Sequence, residues 1–234
     1  MTSKILTVKD EDSCDDVIQE AVRTIREGGL VVYPTDTSYG IACDPMQEQA
    51  LERLISVKKR DKGMGVPLLF SDIQQCEMYH DFGSLERVLA RLFWPGALTL
   101  IVTTKDTIPA YITGGRESAA IRVPDHFIPR RIAKELGKPI VGTSANLSGG
   151  EIPFELSMAC GQLGDGVDLY IDGGPSSAKA NSTILGVERT GTDGPLNIKI
   201  YREGSLSVER ITDSLRIDSD ALRFWSNRII YPDM

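Results

Sequence analysis

Short apolar runs of strand length alternate with segments of helical periodicity through the first 145 residues, after which strand-like runs dominate. This alternation constrains the chain more than any other feature. Strands that are apolar on both faces must be covered by helices, whereas successive strands pair with one another directly. The pattern predicts an α/β fold, a twisted mixed sheet with flanking helices rather than a strictly doubly wound one.

Individual segments follow from periodicity. Val17, Ile18, Ala21, Val22 and Ile25 recur at helical spacing, with Ser13 and Asp16 as the start signal and Gly28-Gly29 as the stop. Ala50, Leu51, Leu54 and Ile55 form a second stripe, with Lys58 and Arg60 at or just past its end. Leu85, Val88, Leu89 and Leu92 form a third, Ile128 to Leu136 a fourth closed by Gly137, and Leu156 to Leu163 a short fifth. Strands are predicted at Lys4–Thr7, Leu30–Tyr33, Pro67–Phe70, Leu98–Val102, Ala119–Val123, Pro139–Val141, Leu169–Ile171, Thr183–Leu185 and Ile198–Tyr201. One or two short helices are expected from about Ser205 onward.

Composition excludes several classes. No run approaches the roughly 18 apolar residues of a membrane-spanning helix, and the N-terminus does not read as a signal peptide. Four scattered cysteines without a C-x-x-C pair suit a reducing compartment, so a cytoplasmic location is expected. Two isolated histidines, His80 and His126, are too few for a histidine-based metal site, and no protein metal ligand is assigned. A net charge of −7 argues against a surface given over to nucleic acid. Within that acidic chain Lys58, Lys59, Arg60 and Lys62 cluster, as do Arg130 and Arg131. Such a cluster is either a solvated face or a site for a compact anion, and composition does not choose between them.

Three polar loops follow apolar strand candidates, the place where α/β sheets gather ligands. They are Pro34 to Gly40, Lys58 to Gly65, and Gly142 to Gly150. The first carries hydroxyls and one carboxylate, the second is cationic, and the third offers hydroxyls, an amide and small residues whose N–H groups can approach a phosphate. No P-loop, dinucleotide-binding or G-x-S-x-G pattern is present.

In order along the chain, six segments resemble the YrdC-like family of threonylcarbamoyl-AMP synthases. They are Tyr33-Pro34-Thr35-Asp36-Thr37-Ser38-Tyr39-Gly40, Lys58-Lys59-Arg60, Phe93 to Thr99, Ala120 to His126, Thr143 to Gly149, and Asp172-Gly173-Gly174 with Asn181-Ser182-Thr183. The resemblance implies a twisted α/β fold with a large concave cavity. It implies a catalytic domain over residues 1–205 and a short, helical C-terminal tail over 206–234, without the second domain of the family's long members. It further implies synthesis of threonylcarbamoyl-AMP and pyrophosphate from L-threonine, bicarbonate and ATP with Mg²⁺. A downstream transfer machinery would then modify adenosine 37 of tRNA.

Residue roles come from the same resemblance. Lys58 and Arg60 match the Lys-x-Arg pair that holds ATP phosphates, and Ser144 and Asn146 match the Ser-x-Asn pair that completes that catalytic site. Ser118 and Arg202 fall where the family contacts the nucleotide. Arg122 is the clamp for the threonine carboxylate, or else a structural ion pair with Asp125. Thr35, Thr37 and Ser182 are partners for the amino acid's polar groups. Where the family has Asn or Lys before Pro-Leu, this chain has Val66, so that either this contact to ATP is missing or Lys62 from the lengthened loop substitutes for it. Asn181 stands where Glu or Pro is usual. Phe93-Trp94-Pro95-Gly96 reads as an architectural turn. The rival functions are a nucleotide- or double-stranded-RNA-binding paralogue, with an RNA contact through Lys59, Lys62, Arg130 and Arg131, and a carbamoyl-adenylating module of the hydrogenase-maturation type.

Overall fold

A computed structural model describes residues 3–189 and 196–232. The strands separate into two hydrogen-bonded sheets, a division that the apolar runs alone do not announce. The smaller sheet runs in the order Lys4–Thr7, Leu169–Asp172, Val31–Tyr33, Gly40–Ala42 and Thr143–Ser144. Its first three strands are mutually parallel and its last two are added antiparallel. The larger sheet runs in the order Trp225–Ile230, Leu196–Arg202, Thr183–Arg189, Leu98–Thr104, Ser118–Arg122, Leu68–Leu69 and Ile140–Val141, with His80–Asp81 pairing the Leu98–Thr104 strand.

The two sheets meet at Gly142. Ile140–Val141 belongs to the larger sheet and Thr143–Ser144 to the smaller, so one residue carries the chain across. Only glycine suits that crossing, because a Cβ there would lie 2.3 Å from Leu69 Cγ. The hydroxyl of Tyr33, wholly buried, donates to the Val141 carbonyl and ties the sheets beside the crossing.

Helices cover the sheets as the periodicity predicts. Asp15–Arg26 buries Ile18, Ala21, Val22 and Ile25, the i, i+3, i+4, i+7 stripe of a core-facing helix. With Phe127–Leu136 it encloses an apolar cluster of its own against the smaller sheet. The expected start at Ser13 requires correction. Cys14 occupies the N-cap position without capping the helix through its side chain, which donates to the Glu11 carbonyl, and Ser13 instead turns its hydroxyl and its N–H to Asp10. Gly137, at φ 76°, closes the Phe127–Leu136 helix. Helices Glu48–Val57, Ser84–Phe93 and Leu156–Leu163 pack on the larger apolar cluster.

The tail contains the two expected helices, Val208–Ile217 and Ala221–Phe224. It then adds an unanticipated strand, Trp225–Ile230, parallel to Leu196–Arg202 at the edge of the larger sheet. Ile211, Leu215 and Ala221 are buried in the main core, and Arg91 of the Ser84–Phe93 helix grips Asp218. Truncating Leu215 to Ala is therefore expected to lower the global unfolding free energy by about 2–5 kcal/mol. Urea denaturation followed by circular dichroism checks this. A main transition that does not move would mean that the tail unfolds independently.

Candidate functional site

A cavity of 300 Å³ opens at the junction of the sheets. Its walls come from the three polar loops and from the strand ends that face them. Thr35, Thr37 and Ser38 line it from the first loop, Arg60 and Met64 from the second, and Gly142, Thr143 and Ser144 from the third. Thr99, Arg122, Ser182 and Arg202 enter from the larger sheet. The lining contains three arginines and no carboxylate.

Arg122, at the end of the Ser118–Arg122 strand, is the most tightly held of these cations. Its Nε donates to the Gly96 carbonyl at 2.8 Å, its Nη1 to Thr37 Oγ1 at 2.9 Å, and its Nη2 to Asp36 Oδ1 at 2.5 Å. The ion pair is with Asp36, so the pairing with Asp125 considered from the sequence is corrected. Both partners are largely buried, with side-chain exposures of 7% and 16%, and neighbouring hydrogen bonds offset the desolvation of the charges. A guanidinium has five donors. Three are used here, which leaves one N–H on each Nη, the pair that a carboxylate accepts in bidentate fashion.

The Pro34–Gly40 loop is shaped by its own hydroxyls. Thr35 Oγ1 accepts the Thr37 N–H at 3.0 Å and donates to the Ser38 carbonyl at 2.7 Å, a side-chain-closed turn that aims Thr37 at Arg122. Ser38 donates to Asn181 Oδ1 at 2.7 Å, which gives Asn181 its work: it joins the first loop to the segment carrying Ser182. Ser182 Oγ shares a 2.8 Å hydrogen bond with Thr99, and the Ser182 carbonyl accepts from Arg202 Nε and Nη2 at 3.1 and 2.8 Å.

The Lys-x-Arg segment is set by a Schellman turn that ends the Glu48–Val57 helix. Lys59 N–H bonds the Ser56 carbonyl and Arg60 N–H the Ile55 carbonyl, with Lys59 at φ 51°. This reversal sends Lys58 and Arg60 to different surroundings. Arg60 reaches the cavity and donates through Nη2 to Gly65 O at 2.9 Å, while its buried Nε has no partner among the described residues. Burial pushes its guanidinium below its ordinary range. Lys58 is only 2% exposed and does not line the cavity. Its ammonium donates to the carbonyls of Ser144 and Asn146, the latter at 2.6 Å. Ser148 N–H returns a bond to the Lys58 carbonyl at 2.8 Å, and Ser144 Oγ meets Asn146 Oδ1 at 2.6 Å. Asn146 also donates to the Gly150 carbonyl at 2.9 Å, so Lys58 and Asn146 together shape the third loop.

Four expected ATP contacts do not line the cavity: Lys58 and Asn146, which shape the third loop, and Lys62 and Ser118. Lys62 is exposed and faces Glu52 at 3.3 Å, because its loop turns outward after Arg60. Ser118 pairs with Thr103 at the opposite end of the strand from Arg122. Conversely, Asp36, Thr99 and Gly96 emerge with functions that the sequence left unassigned. Asp36 and Thr99 sit inside recognisable motifs, but their partners lie far along the chain. The architectural reading of Phe93 to Gly96 misses that the Gly96 carbonyl anchors Arg122. Trp94 does support the turn, donating to the Leu98 carbonyl at 2.7 Å. Among the described residues, no group of three His, Cys, Asp or Glu side chains is placed to hold a metal ion, and no helix is long and apolar enough to cross a membrane.

The fold and site together define an α/β protein with a pocket lined by arginines and hydroxyls. The chain belongs to the Sua5/YciO/YrdC family, whose model, described as telomere recombination, matches residues 23–204. It is similar to the threonylcarbamoyl-AMP synthase of Vibrio vulnificus, 36% identical over 67% of this chain and 86% of that protein. It is also similar to the threonylcarbamoyl-AMP synthase of Idiomarina loihiensis, 32% identical over 79% of this chain and 96% of that protein. The crystal structure of P. abyssi Sua5 complexed with L-threonine superposes with a TM-score of 0.83 at 26% identity. That superposition covers 98% of this chain and 62% of the P. abyssi protein, so the chain spans under two thirds of that longer molecule.

The brace at Lys58 generates a prediction with a definite pH dependence. Lys58→Met leaves two carbonyls without their donor and is expected to lower the unfolding free energy by about 1–3 kcal/mol at neutral pH. Burial, and then the charge of Arg60, lower the Lys58 ammonium from 10.5 to about 8. Between these values the unfolded chain holds a proton that the folded chain has released, so stability rises with pH across that window. The wild type should therefore gain on Lys58→Met as pH is raised from 8 to 10.5, as measured by urea unfolding at fixed ionic strength. A constant gap would contradict it.

Proposed function

We propose that this chain is an L-threonylcarbamoyladenylate synthase, which forms threonylcarbamoyl-AMP and pyrophosphate from L-threonine, bicarbonate and ATP. The observation that carries the reading is the pair of unused Arg122 donors at a cavity that also holds two further arginines and a ring of hydroxyls. In this reading Arg122 clamps the threonine carboxylate. Thr37, Thr35 and Ser182 surround the rest of the amino acid, preorganised by the Thr35–Thr37 hydrogen bond and by the bond of Ser182 to Thr99. Arg60 and Arg202 take the phosphates of ATP. The Ser144–Asn146 loop, braced by Lys58, completes the nucleotide side with its hydroxyl and its backbone. Lys58, buried and outside the lining, acts on the phosphates through that loop. Lys62 and Ser118 have no part in this arrangement.

The chemistry asks little acid–base work of the protein. The threonine amine and bicarbonate give a carbamate with loss of water, and one of its oxygens attacks the α-phosphorus as pyrophosphate departs. The nucleophile is already anionic, so the protein contributes alignment and compensation of charge on the phosphoryl oxygens. ATP enters as its Mg²⁺ complex. A lining rich in hydroxyls and free of carboxylates suits an ion held by phosphates and water. The mixed anhydride formed would serve a cytoplasmic transfer machinery that modifies adenosine 37 of tRNA.

The RNA-binding alternative finds less support. Lys58 is buried, and Lys62 and Arg131 are each paired with carboxylates, so these residues do not offer a continuous cationic surface. Residues 1–205 would supply the catalytic cavity, with 206–234 acting as a buttress to its sheet.

Pyrophosphate release from ATP and Mg²⁺ should require both L-threonine and bicarbonate. It should drop at least about tenfold in Arg122→Ala and in Arg60→Ala, the scale of losing a charge-assisted contact. Absence of release with any amino acid, in protein shown to be folded, would refute the assignment.

A further inference from the structure

The three arginines of the cavity differ in one respect. Arg60 and Arg202 lean on main-chain carbonyls, those of Gly65 and Ser182, and keep their full charge. Among the described residues no carboxylate lies within ion-pair distance of either; Asp61, next to Arg60 in sequence, turns its carboxylate to the Gly63 N–H and acts on Arg60 only through space. Arg122 alone is matched by a carboxylate, that of Asp36, which lies behind it and not in the cavity lining. Burial, and then the charge of nearby Arg122, lower the proton affinity of Arg202.

We propose that Asp36 partitions the cavity: by neutralising only Arg122, it reserves that guanidinium for a carboxylate and directs the polyphosphate to Arg60 and Arg202. This deepens the functional reading above and rests on it for the identity of the carboxylate. The physical basis is the different demand of the two anions. A triphosphate is multiply charged and seeks uncompensated cations, and next to the Arg122–Asp36 pair it would face a net charge of zero and the repulsion of a second carboxylate. A single carboxylate can be held by two parallel N–H bonds, which survive compensation of the charge. Without such a device, three guanidinium groups around a 300 Å³ space would offer the phosphates several competing registers. Asp36 is thus a specificity-determining residue that acts through Arg122.

Calorimetric titration with inorganic tripolyphosphate tests this without an amino acid or turnover. Asp36→Asn should bind tripolyphosphate at least about tenfold more tightly than the wild type, since Arg122 becomes a free cation. The gain should vanish in Asp36→Asn/Arg122→Gln, which returns the position to neutrality and to within about twofold of the wild type. Unchanged or weaker binding in Asp36→Asn, or a gain that persists in the double variant, would overturn the proposal. If Asp36→Asn does not fold, Asp36→Ser makes the same charge change and is judged by the same two outcomes. A parallel titration with L-threonine separates the two claims. In Asp36→Asn tripolyphosphate should compete with threonine, whereas in the wild type both bind together. A wild type that takes tripolyphosphate but no amino acid would sink the functional reading, and the tripolyphosphate comparison would still decide the role of Asp36.

Discussion

The site is assembled around one buried guanidinium. Arg122 leaves the larger sheet at the end of its strand and is caught by a carbonyl from the Pro95-Gly96 turn and by two side chains from the Pro34–Gly40 loop. Three stretches distant in sequence are thereby held in one geometry. The bonds are directional and mostly removed from water, so a displacement of any one stretch would leave a buried donor or acceptor unmatched. The smaller sheet supplies the loop, the larger sheet supplies the arginine, and Gly142 lets the two sheets come close enough for the contact.

Around that joint the protein gathers positive charge in a chain that is acidic overall. It does so by bracing cations on main-chain carbonyls. Arg60 rests on Gly65, Arg202 on Ser182, and Lys58 on Ser144 and Asn146. A carbonyl orients a cation without cancelling its charge, whereas a carboxylate does both. Surface lysines and arginines elsewhere, such as Lys4, Arg53 and Arg87, are paired with carboxylates and contribute little long-range field. The distribution of partners, more than the count of basic residues, makes the cavity cationic.

Much of this arrangement was readable in advance. The helical stripes at Val17–Ile25 and Leu85–Leu92 and the apolar strands at Leu30–Tyr33 and Leu98–Val102 each carry their burial in their spacing, and the structure places them accordingly. The three polar loops do converge on one cavity, although the second leaves the Glu48–Val57 helix and not a strand, and Arg60, Ser144, Thr37, Arg122, Ser182 and Arg202 all line it. What spacing could not reveal is which partner each side chain takes. Lys58 and Arg60 are two residues apart and of like charge, yet a Schellman turn buries one as a brace and delivers the other to the cavity. Lys62 looked like a third contact in the same cluster and is turned outward to Glu52.

The sequence by itself determined the α/β class, the place of most helices and strands, and the three loops that carry polar chemistry, because these depend on local periodicity and turn preference. Only the tertiary structure decided that the strands form two sheets joined through Gly142, that the tail contributes an edge strand, and that Arg122 pairs with Asp36 and not with nearby Asp125. These features depend on contacts between residues tens of positions apart. Such contacts leave no period in the chain, since their energy comes from surfaces and charges that meet only after the sheets have closed on one another.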